Sequence, residues 1–338
     1  MRRSKKISNS KRTHTIAKLQ RTEVRKSKPK PPTRLARDAT FIAGDVLSAL
    51  KNIPRQSCDL IISSPPYNIG KAYERSANRS FDEYVQWQDQ VIEALVERLA
   101  DTGSICWQVG SYVKDGESFP LDVYFYNSFK KRGMQLRNRI VWKFNFGLHS
   151  TKRLSGRYET LLWFTKSDSY KFNLDAIRVP QLYPGKRHAK TKPNGSGLLS
   201  GNPLGKNPSD YWEFSAEAHF KTNPIWDIPN VKANHPEKTI HPCQFPIELV
   251  ERCVLGLTQK GDTVLDPFVG TGTSVIAAIK HDRIGVGIDK DASFIKLAKN
   301  RVERLRKGTL KIRPIGRAIH QPKPTDKVAM RPREWKQR

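Results

Sequence analysis

The stretch Val264-Leu265-Asp266-Pro267-Phe268-Val269-Gly270-Thr271-Gly272-Thr273-Ser274 constrains this chain most. A short apolar run ending in an acid predicts a strand, two glycines close it, and Thr273 to Lys280 continues as a helix. Glycine lets backbone approach a ligand closely, and a helix N-terminus favours negative charge. The loop is not a P-loop, because no Gly-Lys-Ser/Thr follows. Nor is it a full GxGxxG, since Ser274 and Val275 follow Thr273. The next strand, Ile284 to Asp289, ends in the position where a doubly wound fold sets a carboxylate on ribose hydroxyls. The glycine pair alone is weak evidence. Strand, loop, helix, strand and acid in that order point to a nucleotide-like cofactor.

A second stretch, Ile61-Ile62-Ser63-Ser64-Pro65-Pro66-Tyr67-Asn68, lies some two hundred residues earlier. Leu60-Ile61-Ile62 predicts a buried strand. Proline fixes its own φ and pushes the residue before it away from the helical region. Ser64 to Tyr67 is therefore expected as a stiff, extended loop at a strand's carboxyl end. Its carbonyls are free to accept, and its aromatic ring is held at a set angle. Both loops are expected to face one crevice, with the cofactor at the glycines and a planar amine substrate at the prolines.

Between these landmarks strands and helices alternate. Strands are expected at Thr40–Ala43, Asp59–Ser63, Ser104–Val109, Arg139–Phe144, Thr160–Thr165, Thr263–Asp266 and Ile284–Asp289. Helices are expected at Phe81–Ala100, Leu121–Lys131, Ile247–Leu257, Thr273–Lys280 and Ala292–Leu305. Such alternation means an α/β fold, a mostly parallel, doubly wound sheet with helices on both faces. Tyr170 to about Thr239 breaks the pattern. It is rich in Pro, Gly, Asn, Lys and aromatics, which suits contact with nucleic acid, although a plain surface insertion has the same composition.

The 338 residues allow one large domain with an insertion. A net charge of +29 points to a polyanion, most often nucleic acid, and charge alone leaves a merely basic surface open. Residues 1–37 and 307–338 are expected to be basic tails without fixed structure. Cys58, Cys106, Cys243 and Cys253 have no CxxC spacing, so no metal is expected and a reducing cytosol fits. Cys58, Cys106 and Cys253 sit among apolar neighbours, as core residues do. No apolar run of membrane-spanning length exists. No apolar segment follows the basic start, which speaks against a secretory signal but not against an organelle transit peptide.

Together these segments resemble the amino-group DNA methyltransferases. Ser64-Pro65-Pro66-Tyr67 looks like their catalytic motif, and Asp266 to Ser274 looks like their S-adenosylmethionine loop. Catalytic motif first and cofactor motif last, with an insertion between, resembles the circularly permuted β group. Gly44-Asp45, Arg157-Tyr158-Glu159 and His241-Pro242 agree with it. The resemblance covers about Thr40 to Val302. It implies a Rossmann-like methyltransferase domain in two halves, catalytic at 38–169 and cofactor-binding at 240–306, split by a target-recognition region at 170–239.

The resemblance also implies roles. Ser64, Pro65, Pro66 and Tyr67 would be catalytic. Gly270, Gly272 and the neighbouring backbone would hold the methionine portion of S-adenosylmethionine, with Asp266 near its ammonium group, and Phe268, Thr273 and Ser274 would also be cofactor-binding. Asp289 would bind the ribose and Asp45 the adenine amine. The family often has a lysine where Phe245 stands, so a contact from there to the cofactor carboxylate is left open.

An exocyclic amine is a weak nucleophile because its lone pair is delocalised into the ring. Acceptors for its N–H bonds, here the Pro65 carbonyl and the Ser64 hydroxyl, restore density and aim the nitrogen, while Tyr67 stacks on the base. The base must leave the duplex. The implied activity is site-specific methylation of double-stranded DNA at an exocyclic amine, in a cytoplasmic restriction–modification or phage setting that can include a cognate endonuclease. Ser64 leans towards cytosine N4, since adenine enzymes more often carry Asp or Asn there. Adenine N6, RNA amine methylation and a DNA-binding module without catalysis remain alternatives. Pro242-Cys243-Gln244 matches the short C5-cytosine nucleophile motif. There the cysteine follows the cofactor loop on a later strand, whereas Cys243 precedes that loop and stands before a helix.

Overall fold

The computed structural model describes residues 38–69, 79–144, 150–181, 183–188, 197–212, 231, 235–241 and 243–317. The expected N-terminal tail, residues 318–338 and Pro242 lie outside the described residues. Among the described residues no helix is long and apolar enough to cross a membrane.

One eight-stranded sheet organises the fold. In chain order its strands are β1 (Ala39–Ala43), β2 (Cys58–Ser63), β3 (Leu99–Val109), β6 (Gln135–Lys143), β7 (Tyr158–Thr165), β8 (Tyr211–Trp212), β9 (Thr263–Asp266) and β10 (Ile284–Asp289). Across the sheet the order is β1-β10-β9-β2-β3-β7-β6-β8. The five strands from β1 to β3 are parallel, β7 runs antiparallel to both neighbours, and β8 pairs parallel with β6. A separate hairpin joins β4 (Ser111–Lys114) to β5 (Glu117–Pro120).

Among the described residues six α-helices cover the two faces. α1 (Val46–Leu50), α2 (Phe81–Arg98) and α3 (Leu121–Lys131) pack on one face, and α4 (Ile247–Leu257), α5 (Thr273–Lys280) and α6 (Ala292–Arg306) on the other. The pleat divides the core accordingly. Ile61 of β2 points into the first layer and Leu60 and Ile62 into the second, as period-two alternation requires. All three are fully buried, as a strand sandwiched between helix layers must be. A capping box starts α2: the Ser80 hydroxyl accepts from Glu83 N at 3.3 Å, and the Glu83 carboxylate accepts from Ser80 N at 2.8 Å. Cys58, Cys106 and Cys253 are buried, and burial pushes the Cys58 thiol up to about 12.

Three local departures from expectation have physical causes. β3 begins at Leu99, five residues before the expected Ser104, because Leu99 pairs with Cys58 and its side chain is buried. The β4–β5 hairpin turns on Asp115-Gly116, both at positive φ, and an Asp-Gly pair between strands is a strong hairpin signal. The C-terminal stretch does not start as a free tail. Arg313 is buried; its NH1 donates to Glu248 at 2.5 Å and its backbone N to Glu237 at 3.0 Å, while Gly316 N donates to Glu248 at 2.8 Å. Leu310 and Ile312 pack against the core. Two buried glutamates thus fix residues 309–317 to the start of α4.

The insertion also begins as part of the core. Phe172 stacks on Trp163 with centroids 5.5 Å apart, and Ile177 is buried against α4. Lys171 Nζ donates to Asp59 at 2.8 Å and to Asp262 at 2.7 Å, tying the insertion to the starts of β2 and β9.

Two glycines in β10 set how closely the second helix layer approaches. A Cβ on Gly287 would stand 2.6 Å from Val269 Cγ2, and one on Gly285 would stand 3.0 Å from Val275 Cα. Gly287→Ala is expected to destabilise the fold by about 1–3 kcal/mol through overpacking. Gly185→Ala, with open space around its Cβ, is expected to stay within about 0.5 kcal/mol of the parent. Chemical denaturation of both variants checks the pair.

Candidate active site

Helix placement makes a topological switch between β9 and β2. From β9 the chain passes through α5 on one face to β10. From β2 it passes through α2 on the other face to β3, away from β10. Ligands of open α/β sheets bind outside the carboxyl ends of strands at such a point. A crevice of about 910 Å³ lies there. Gly44, Asp45, the whole run Ser64 to Tyr67, Phe268, Gly270, Thr273 and Asp289 line it. The two distant sequence stretches therefore open into one space.

Asp266, Gly272 and Ser274 do not line it. Asp266 is fully buried beneath the floor. Its carboxylate accepts from Ser63 Oγ at 2.6 Å, from Phe268 N at 3.0 Å and from Ser274 Oγ. Ser63 precedes the proline loop and Ser274 opens α5, so this carboxylate ties the ends of both stretches. Burial raises its pKa to about 6, with the three donors pulling the other way. Gly272 sits at φ 80° as the N-cap of α5, where a Cβ would stand 2.8 Å from Ala298 Cβ. It is a packing glycine that lets α6 close on the loop.

The glycine loop is held from two sides. Gly270 N donates to Asp289 Oδ2 at 2.8 Å, and the other Asp289 oxygen accepts from Asp291 N at 2.8 Å. Burial raises the Asp289 pKa, and each carboxylate oxygen keeps a lone pair for a further donor. From behind, buried Arg301 of α6 donates to Thr271 O at 2.6 Å and Thr271 Oγ1 at 2.8 Å. Burial pulls its pKa down to about 10. Sequence reading missed Arg301, because an arginine on the last helix looks like an exposed charge.

The walls are aromatic. Phe268 meets Trp87 and Trp107 edge-on at 5.7 and 6.2 Å, and the Arg79 guanidinium lies 4.3 Å from the Trp87 ring centroid. His241 packs against Phe294 at 4.6 Å, and its Nδ1 accepts from Cys243 N at 3.2 Å. Burial and the nearby Lys238 ammonium lower its pKa to about 4, so the ring is neutral at pH 7. Asp45 caps α1 by accepting from Ser48 N at 3.1 Å. Cys243 is exposed, lines the crevice and lies in the turn before α4.

At the proline loop, Tyr84 OH donates to Pro66 O at 2.8 Å and so fixes the loop's backbone. The Tyr67 hydroxyl stands 3.0 Å from Ser64 Oγ, 3.4 Å from Gln108 O and 3.3 Å from Glu159 Oε2. Burial and the Glu159 charge drive the Tyr67 pKa well above its ordinary value, so it stays a neutral phenol. The phenol has a single proton, and three neighbouring oxygens compete for it. Either hydroxyl can be the donor of the Ser64–Tyr67 bond.

The comparisons agree with this geometry. The DNA methylase family of N6 and N4 enzymes matches residues 58–300. Type II methyltransferase M.BglII of Bacillus subtilis is 45% identical over 75% of this chain, which spans 66%, just under two thirds, of that relative's length. DNA adenine methyltransferase YhdJ of Escherichia coli K12 is 33% identical over 80% of this chain and 85% of its own. The cytosine-N4-specific PvuII DNA methyltransferase shares the fold, with a TM-score of 0.56 at 19% identity over 77% of this chain and 85% of that one.

Asp266 yields a pH test. Its proton is held more tightly in the folded state than in the unfolded one, where an aspartate titrates near 4. Stability should therefore fall as pH rises from about 4 to about 6 and stay lower above that, by roughly 3 kcal/mol. Asp266→Asn should lack this component. Denaturant midpoints of both proteins across that window are expected to diverge; parallel curves would mean an unperturbed carboxyl.

Proposed function

The chain belongs to the DNA methylase family of N6 and N4 amino-methyltransferases, and from that membership we propose that it methylates cytosine N4 at a specific site in double-stranded DNA. The observation that carries this reading is the single crevice shared by the Ser64–Tyr67 loop and the Gly270 loop.

The family's cofactor is S-adenosylmethionine, which when bound supplies an electrophilic methyl group. The crevice fits such a group: Gly270 backbone and Asp289 stand on one side, Asp45 at the mouth and an aromatic wall at Phe268. Asp289 offers acceptors for ribose hydroxyls and Asp45 for the adenine amine. The buried Asp266 organises the floor.

On the other side the flipped base is oriented by the proline loop. The Pro65 carbonyl and Ser64 Oγ accept from the exocyclic amine, and the Tyr67 ring stacks on the base. These contacts supply alignment, which accounts for a large part of catalysis in a direct transfer. A hydroxyl at position 64, in place of Asp or Asn, favours cytosine over adenine. Adenine N6 is the second reading, and the relationship to the adenine enzyme YhdJ supports it. Within the insertion, β8 lies at the sheet edge beside β6, which suits choice of the DNA site, and the type II relatives suggest a cognate endonuclease in the same cytoplasm.

One portion of DNA from cells expressing the protein is digested to nucleosides to identify the modified base, and a second, intact portion is sequenced to locate it. N4-methylcytosine at one recurrent sequence is expected, and N6-methyladenine would move the assignment to the second reading. Ser64→Ala should lower turnover about tenfold or more, while Cys243→Ser keeps it, because amine transfer forms no ring adduct. The reverse pattern would point to C5 chemistry.

A further inference from the structure

Gln108 is the second-to-last residue of the crevice strand β3. Its neighbour Trp107 is paired with Ser63 across β2 and β3, so Gln108 is next in register to Ser64. The side chain lines the crevice, yet the residue is only 2% exposed. Its Nε2 donates to Glu159 Oε2 at 2.5 Å. This contact fixes the amide's orientation, because turning it over would set its oxygen against a carboxylate. Oε1 therefore faces away from Glu159. Among the described residues it is buried without a hydrogen-bond partner. A buried polar atom left this way is costly and calls for an explanation.

The amine chemistry supplies one. In the planar amine both hydrogens lie in the ring plane, and the proline loop already offers two acceptors for them. When the nitrogen takes a methyl group it becomes tetrahedral and positive, and its hydrogens leave the plane. A third acceptor beside Ser64 has work only then. We propose that Gln108 is a further catalytic residue, whose Oε1 accepts from the amine as it becomes a methylated ammonium, and that Glu159 positions it. A fixed dipole aimed at charge that develops in the transition state speeds turnover without tightening ground-state binding. The partnerless oxygen of the resting site is consistent with that timing. The bond formed is nitrogen to methyl carbon, the bond broken is methyl carbon to sulfonium sulfur, and the ammonium proton then passes to water. This inference rests on the amine-methylation reading above.

The test uses Gln108→Met, which keeps length and loses the acceptor, and Gln108→Asn, which keeps the amide but withdraws it by one methylene. Single-turnover methyl transfer to DNA carrying the modified sequence is measured, with the dissociation constants of S-adenosylhomocysteine and of that DNA. The expected result for both variants is a rate lower by about tenfold or more, with both constants unchanged within about twofold. Either variant that retains a cooperative thermal transition decides the matter. An unchanged rate, or a rate loss matched by weaker binding of DNA or cofactor product, overturns the proposal and leaves cytosine methylation standing. A wild-type chain that methylates no DNA overturns the amine reading, and this inference with it.

Discussion

The hydrogen bond from Ser63 Oγ to Asp266, at 2.6 Å, joins residues 203 apart in sequence, and the site depends on it. β2 and β9 are neighbours in the sheet, but pairing alone fixes only their backbones. The buried carboxylate fixes the loop at the end of each strand. One oxygen takes Ser63 and Phe268 N, and the other takes Ser274 at the first turn of α5. Three donors on one carboxylate hold both loops against the same floor. Burial works against the charge, and the donors offset only part of that cost, so the carboxyl titrates near 6.

Outward from this floor, the parts of the crevice are held by supporting residues. Arg301 carries the turn at Thr271. Gly272 and Gly287 let α6 and Val269 approach where a methyl group would collide. Tyr84 lines the crevice and also fixes the Pro66 carbonyl. Pre-organisation of this kind matters in a direct methyl transfer, where alignment of the two reactants is most of what a protein can contribute.

Much of this was legible in the sequence. The order of strands and helices follows from periodicity. The switch point follows from a strand-loop-helix unit at each end of the chain. The Ser-Pro-Pro-Tyr and Asp-Pro-Phe-x-Gly-x-Gly runs name their own loops. What stayed hidden is what depends on burial. Asp266 looks in sequence like a ligand to the cofactor, and only its full enclosure shows that its oxygens are spent on Ser63, Ser274 and Phe268. Arg301 and Arg313 look like two more charges in a chain with 61 basic residues, yet both are buried and hold backbone. Gln108 carries no motif at all. Its interest comes from Glu159, fifty-one residues away, holding one end of the amide while the other end is buried without a partner among the described residues.

The most direct test of the shared floor is a double-mutant cycle on Ser63→Ala and Asp266→Asn, read by single-turnover methyl transfer with intact folding checked in each variant. If the bond couples the two loops, the single losses do not add, and the coupling is about 1 kcal/mol or more. Additive losses within about 0.5 kcal/mol would mean that the two loops act independently and would contradict the account.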